Sequence, residues 1–432
     1  MRNDLSADKR GHIGALSPLA LFVVLYLVTS ILAGDFYKVP ISVAFAISGI
    51  FAVATTPRLS LGKRITLFGR GASTPNIMLM LWVFLLAGAF ATSAKDIGSI
   101  DATVNLMLRI LPDNMLLAGL FVATCFISLS IGTSVGTIVA LVPIAAGLAE
   151  QTGTSVPLLT AVVVSGAFFG DNLSFISDTT IVATSTQGCK MSDKFRVNAF
   201  IVIPVALLII VIYTWMGMDI ETPSTLPPLE VAKVLPYIAV LVTAVCGVNV
   251  MVVLVIGILL TGLIGWFTDT CDMFGWFGSM GNGMAGMGEL IIITMLAGGL
   301  FEMVRHNGGI DYIIRKTTAH IKGKRGAELV IGSLTALIDA CTANNTVAII
   351  TVGGIARRIS EQYGLDNRRV ASILDTFSCC MQGLIPYGAQ MLMAASLAKV
   401  NPVDILPYLY YPIVLATFTI AAILIRYPRR YS

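Results

Sequence analysis

The run Gly166-Ala-Phe-Phe-Gly-Asp-Asn-Leu-Ser-Phe-Ile-Ser-Asp-Thr-Thr180 sets Asp171, Asn172, Ser174, Ser177, Asp178, Thr179 and Thr180 inside a segment that is otherwise long and apolar enough to cross a bilayer. A carboxylate in hydrocarbon costs about 2.5–3.5 kcal/mol on insertion scales, so it persists only where it is neutralised or used. Two carboxylates set among hydroxyls and glycines suit a desolvated cation, Na+ in particular, better than they suit lipid. If the helix breaks at this run, unwound carbonyls join the side-chain oxygens as ligands. The competing reading is structural: hydroxyls bonded to the preceding turn and carboxylates capped internally.

Two polar tips interrupt other apolar regions. Gly132-Thr-Ser-Val-Gly-Thr137 divides the stretch 113–150, and Thr342-Ala-Asn-Asn-Thr346 divides 327–356. Thr133 and Ser134, and Asn344, Asn345 and Thr346, are therefore candidates for holding an ion or an anionic solute group at half-helix N-termini. The bland alternative is a capping turn. Asp339 and Asp375 lie in apolar surroundings, where burial favours the neutral form of an acid and makes it a candidate for proton exchange. Each has a second reading, an ion pair with Arg357, Arg358, Arg368 or Arg369. The run Gly383–Gln390, with Pro386 near its centre, reads as a second helix break, with Tyr387 and Gln390 as cavity-lining candidates and the methionines nearby as packing.

The elements that must position these residues are membrane spans. The chain has 432 residues, 56% hydrophobic and 12% charged; soluble proteins carry about 25% charged residues. Mean hydropathy is +0.86. A net charge of +4 gives no argument for nucleic acid, and seven cysteines without a CxxC pair, beside three histidines, support neither a zinc site nor a disulfide framework. Apolar segments occur near 16–34, 38–57, 75–94, 157–187, 197–217, 231–246, 248–268, 287–305, 368–398 and 404–426. If 113–150 and 327–356 are re-entrant hairpins, about ten crossings remain and both termini are cytoplasmic. The cytoplasmic segments 1–15, 57–74, 188–196, 305–326, 357–369 and 426–432 then hold 23 of the 28 Lys and Arg residues. That is the asymmetry of the positive-inside rule, and counting either hairpin as two crossings destroys it.

A repeat supports the same division. Leu86 to Asp101 matches Leu296 to Asp311 without gaps at an offset of 210, with six of sixteen positions identical. The same offset superposes Thr133 and Ser134 on Ala343 and Asn344, and an offset of 209 aligns the two helix breaks. Five crossings per unit is an odd number, so the halves 1–222 and 223–432 are expected to be inverted in topology. Amphipathic stretches at 99–110 and 309–322 are expected to lie along the interface and lead into the hairpins. The fold class expected is thus an all-α polytopic membrane protein with an inverted-topology repeat and broken helices at 157–187 and 368–398.

These residues resemble the NhaC-type sodium/proton antiporter family. Ser165-Gly-Ala-Phe-Phe-Gly-Asp171, Leu173-Ser174 and Ser177-Asp-Thr-Thr180 form the specific block, and Asn344-Asn-Thr-Val347 and Ile385-Pro-Tyr-Gly388 are similar more loosely. The resemblance implies Na+-coupled transport, with Asp171, Asp178 and the adjacent threonines near the ion. It departs at Asn172 and Phe175, where many family members carry lysine and proline. It also implies a bacterial cytoplasmic (inner) membrane location. The expected partners are the lipid bilayer, Na+ and H+, a small organic solute and a second copy of the chain in a homodimer; no cofactor is expected. Na+/H+ antiport is the leading expectation, and a Na+- or H+-coupled carrier of an amino acid or carboxylate is the alternative. The motifs of a membrane enzyme are missing from the sequence, and a repeat of broken helices favours alternating access over a channel.

Overall fold

The computed structural model describes residues 11–28, 40–110, 112, 115–174, 177–220, 227–319 and 321–431. The terminal segment before residue 11, the end of the first expected span (29–34), the start of the second (38–39), Phe175 and Ile176, residues 223–226 of the Pro-rich connection, and His320 lie outside the described residues. Among the described residues all regular structure is helical. In chain order the α-helices are α1 (Ser17–Val23), α2 (Ile41–Thr55), α3 (Leu61–Ala72), α4 (Pro75–Asp96), α5 (Ser99–Ile110), α6 (Leu116–Ile131), α7 (Ser134–Thr152), α8 (Val156–Leu173), α9 (Asp178–Gln187) and α10 (Met191–Met216). There follow α11 (Val231–Val245), α12 (Val250–Phe267), α13 (Met273–Gly286), α14 (Gly288–His306), α15 (Gly309–Thr318), α16 (Gly323–Thr342), α17 (Asn345–Tyr363), α18 (Asn367–Leu384), α19 (Ala389–Ala398), α20 (Pro402–Ile405) and α21 (Tyr410–Ile425).

Among the described residues six spans qualify by length and apolarity: 77–96, 134–152, 156–187, 191–219, 250–267 and 273–306. A seventh joins 402–408 to 410–425 across a 54° bend. Four shorter apolar helices lie at 13–26, 41–55, 116–129 and 231–243. Helix α13 falls where the sequence reading placed no element. Large side chains point outward from many of these helices. Leu207, Val211 and Trp215 on α10 are all exposed and stand four residues apart, so they form one stripe. Such a stripe is unfavourable in water and suits lipid.

Both expected tips are helix breaks with the same local design. Gly132 ends α6 in the left-handed region at φ 72°, Thr133 is extended, and α7 starts at Ser134. Ala343 ends α16 at φ 49°, Asn344 is extended, and α17 starts at Asn345, with Asn344 Oδ1 accepting the Val347 N–H at 3.0 Å. A left-handed residue closes the helix and an extended residue opens the next, which is how two helices meet head to tail across a short turn. The two polar runs also break. Between α8 and α9 the chain leaves the helix at Ser174 and re-enters after Ser177; between α18 and α19 it leaves at Ile385 and re-enters after Gly388. The bounds of α7, α8 and α9 recur in α17, α18 and α19 at an offset of 211 residues. The register read from sequence was one residue short at the tips and two short at the breaks.

Two apolar cores result. The larger joins α2, α4, α6–α8, α10 and α19–α21, while the smaller gathers α16, α17 and the first half of α18 around Ile331, Ile338, Val352 and Leu374. Glycine lets α6 and α8 touch: a Cβ on Gly170 would land on the side chain and carbonyl carbon of Ser128, whose hydroxyl donates to the Ala167 carbonyl at 2.6 Å. Gly170→Ala is therefore expected to destabilise the protein by about 1–3 kcal/mol through overpacking. Gly278→Ala on α13 meets nothing within 4 Å and is expected to be neutral or slightly stabilising. Thermal unfolding of the two variants in the same detergent checks the contrast.

Candidate functional site

The polar tips and the first break converge on one cavity of about 330 Å³. Its walls include Thr133 and Ser134 from the first tip, Asn344, Asn345 and Thr346 from the second, Asp171 from α8, Asp178 and Thr179 from α9, and Gln390 from α19. Gly247, Val248 and Asn249, the connection between α11 and α12, line it too, with Leu79, Met80 and Val83 of α4 as an apolar wall. Asp171 is buried at the C-terminal end of α8, where its Oδ1 accepts the backbone N–H of Ser134 at 2.8 Å. That N–H opens α7, so the carboxylate caps a helix N-terminus and the local dipole favours its charge. Asp178 is exposed to the cavity at the first turn of α9.

The remaining residues of the run hold the break together. Ser177 Oγ donates to the Asp171 carbonyl at 2.7 Å and caps α9 by accepting the Thr180 N–H at 3.3 Å. Thr179 Oγ1 reaches the same Asp171 carbonyl at 3.3 Å, and Thr180 Oγ1 donates to the Ser174 carbonyl at 2.9 Å. Ser174 Oγ donates to the Leu129 carbonyl at 3.0 Å. The unwound carbonyls are thus largely occupied by hydroxyls of the run itself.

A second chain of hydrogen bonds ties the two tips to each other. Gln382 on α18 donates to the Ala343 carbonyl at 3.1 Å and to Gln390 Oε1 at 2.8 Å, and Gln390 Nε2 donates to Ser134 Oγ at 3.2 Å. Tip two, α18, α19, tip one and Asp171 therefore form one continuous polar path. Tyr387 is not on it. Its hydroxyl donates to the Ala340 carbonyl at 2.6 Å, its ring meets Phe22 and Phe45 edge-on, and it lines a different cavity beside Ala343 and Asn344. Pro386 lies in the break between α18 and α19.

Neither buried aspartate of the second half pairs with the arginines considered for it. Arg357 pairs with Glu361, Arg368 with Asp366, and Arg369 with Glu328. Asp375 instead meets Lys194 of α10 at 2.6 Å, both side chains being buried. The positive-inside count places Lys194 in the cytoplasmic segment 188–196; the structure buries it inside the protein, where Nζ also donates to the Asn172 carbonyl and to Thr180 Oγ1 at 2.7 Å. Asn198, one turn further along α10, donates to Asn172 Oδ1 and, at 3.2 Å, to Asp375 Oδ2. Asp339 near the end of α16 is fully buried and neither carboxylate oxygen has a hydrogen-bond partner; the Gln382 backbone comes near it without hydrogen-bond geometry.

Sequence reasoning missed Lys194, Asn198, Gln382 and Asn249. A signal existed for the first two. Lys194 and Asn198 stand four residues apart and so share one face of a helix whose continuation is apolar. A lysine near a predicted helix end reads as solvated unless a buried partner is known.

The Na+/H+ antiporter family matches the chain over residues 12–218 and 226–427. Three relatives are similar along most of their length. The "Arginine/ornithine antiporter ArcD" of Halobacterium salinarum is 23% identical, covering 94% of this chain and 90% of its own. The "Na(+)/H(+) antiporter NhaC" of Bacillus subtilis is 24% identical, over 78% of this chain and 81% of its own. The "Malate-2H(+)/Na(+)-lactate antiporter" of the same species is 21% identical, over 87% of each.

Proposed function

Because this chain belongs to the Na+/H+ antiporter family, an integral membrane transporter and not an enzyme, we propose that it exchanges Na+ for protons by alternating access through the cavity between the two tips. The observation that carries this reading is the convergence of Asp171, Asp178 and Thr179 with both tips on one cavity of about 330 Å³. In the proposed cycle the Asp171 and Asp178 carboxylates bind either Na+ or protons. One set of oxygens cannot satisfy both ligands, so exchange follows from competition at a single site. Thr179 and the tip residues Asn345 and Thr346 supply neutral oxygens. Asn172, Ser174, Ser177 and Thr180 shape the break instead, since their side chains are bonded within it or to α6 and α10.

The recurrence of helix bounds at 211 residues supports two structural units, 1–222 and 223–432, in which the tips are re-entrant and the units are inverted. The polar path through Gln382 and Gln390 then offers a way for one unit to sense the other. In this reading the transporter sits in the cytoplasmic membrane of a bacterium with both termini inside. It needs no cofactor. The test uses inside-out vesicles with an acid interior and a pH dye. Added NaCl or LiCl is expected to dissipate the gradient and KCl to leave it unchanged; no response to Na+ in sealed vesicles overturns the proposal.

A second reading rests on cavity size. About 330 Å³ exceeds what a bare ion needs and falls at the lower end of small-molecule sites, about 300–1,000 Å³. Two relatives are named as exchangers of arginine with ornithine and of malate with lactate. A small amino acid or carboxylate held at the tip N-termini is the corresponding proposal. Gradient-driven exchange of labelled arginine or malate in proteoliposomes would support it.

A further inference from the structure

Behind the cavity, the break presents a second set of cation-binding oxygens, and that set is filled. The Asn172 carbonyl in the last turn of α8, Thr180 Oγ1 in the first turn of α9 and Asp375 Oδ2 on α18 all accept hydrogen bonds from Lys194 Nζ. An ammonium has three N–H donors and no acceptor, so these three contacts use it completely. A carbonyl freed by a helix break, a hydroxyl and a carboxylate are the hard-oxygen donors that hold Na+ in discontinuous helices. The set is also incomplete as a lysine site: Asp375 Oδ1 and Asn198 Oδ1 are buried beside it without a hydrogen-bond partner. Neither α8 nor α9 carries a basic residue, although Asp171 and Asp178 stand there with Asp375 nearby. The cation that balances Asp375 therefore has to come from outside the broken helix.

We propose that these oxygens form a second monovalent-cation site whose occupant is the chain's own Lys194 ammonium. The lysine takes the place of a metal ion that would otherwise bind between the half-helices and α18. It fixes the number of transported Na+ ions at those the cavity holds. This rests on the assignment of the transported ion to the cavity of Asp171 and Asp178, and the two claims separate in the test.

The full-length protein in detergent is titrated with radioactive sodium at constant ionic strength, choline making up the balance. Lys194→Ala removes the ammonium and leaves every oxygen in place. The number of Na+ ions bound at saturation is expected to rise by one per chain relative to the parent, and Lys194→Ala combined with Asp375→Asn is expected to lose the added ion. Unchanged capacity in folded Lys194→Ala overturns the proposal. Asp171→Asn in the parent background reports on the cavity alone: if it leaves sodium binding intact, the cavity assignment fails, while the ion gained in Lys194→Ala still tests the lysine.

Where Lys194→Ala is too unstable to purify, thermal midpoints are read in membranes against NaCl and choline chloride. Lys194→Met serves as a companion that refills the volume without charge or donors. Ligand binding to the native state raises the midpoint with concentration. A steeper Na+ dependence for Lys194→Ala than for Lys194→Met supports the site, and equal slopes overturn it.

Discussion

Asp171→Asn is expected to lower the apparent Na+ affinity of exchange about a thousandfold and to abolish proton exchange at this position, with little loss of folded protein. The interaction of two unit charges about 4 Å apart is worth about 4 kcal/mol at an effective dielectric of 20, and each 1.4 kcal/mol is a factor of ten in binding. The amide keeps an oxygen that can still accept the Ser134 N–H, so the helix-capping contact survives while the charge does not. An amide also has no titration in the working range, so competition between Na+ and protons disappears with it. Asp178→Asn is expected to fail in transport as well, and to fold better than Asp171→Asn, because Asp178 is exposed to the cavity whereas Asp171 is buried. Initial rates of dye recovery against Na+ concentration, beside thermal midpoints, check both variants. Wild-type Na+ dependence in either one would move the ion site elsewhere.

Much of this site was legible because the sequence places charge where lipid should be. The run 166–180 and the two tips stand out by the cost of burying polar groups in an apolar segment, and the chain breaks at each of them. Partners were not legible. Asp375 meets a lysine 181 residues earlier, and no periodicity within either helix announces that pairing. Tyr387 and Gln390 are three residues apart and were expected to share a cavity. Tyr387 lies in the turn before α19 and Gln390 inside that helix, and they line different cavities.

The departure at position 172 acquires a physical sense in the fold. The resemblance leads one to expect a lysine beside Asp171, and this chain has asparagine. Its ammonium arrives instead from α10, where Lys194 lies on the carbonyl of that same asparagine. The break thus keeps a fixed positive charge while the Asn172 side chain is bound by Asn198. Charge at the break is set by three helices together, which explains why a reading confined to one segment underestimates it.

The positive-inside count is altered by burial, and this leads to the second large effect. Arg369 was one of the cations assigned to the segment 357–369, yet it is buried against Glu328. Its Nε and Nη2 meet the two carboxylate oxygens at 2.7 and 2.9 Å, while Nη1 donates to the Tyr427 carbonyl at 2.7 Å and Nη2 also reaches the Ala422 carbonyl at 3.3 Å. One guanidinium therefore joins α16, α18 and the end of α21. Removing one member of a buried pair leaves the other charged and desolvated, at a cost of about 3–5 kcal/mol, whereas replacing both by apolar groups of similar volume is often neutral. Arg369→Met is accordingly expected to lose about 3–5 kcal/mol, more than Glu328→Gln, because it also orphans the Tyr427 carbonyl just past α21, whereas the Ala422 carbonyl keeps the Tyr427 N–H at 2.8 Å. The double variant Glu328→Leu/Arg369→Met is expected to recover most of the charge penalty but not the contact to the Tyr427 carbonyl. Thermal unfolding of the two single variants and the double variant measures that difference. Additive losses would mean that the pair is solvated.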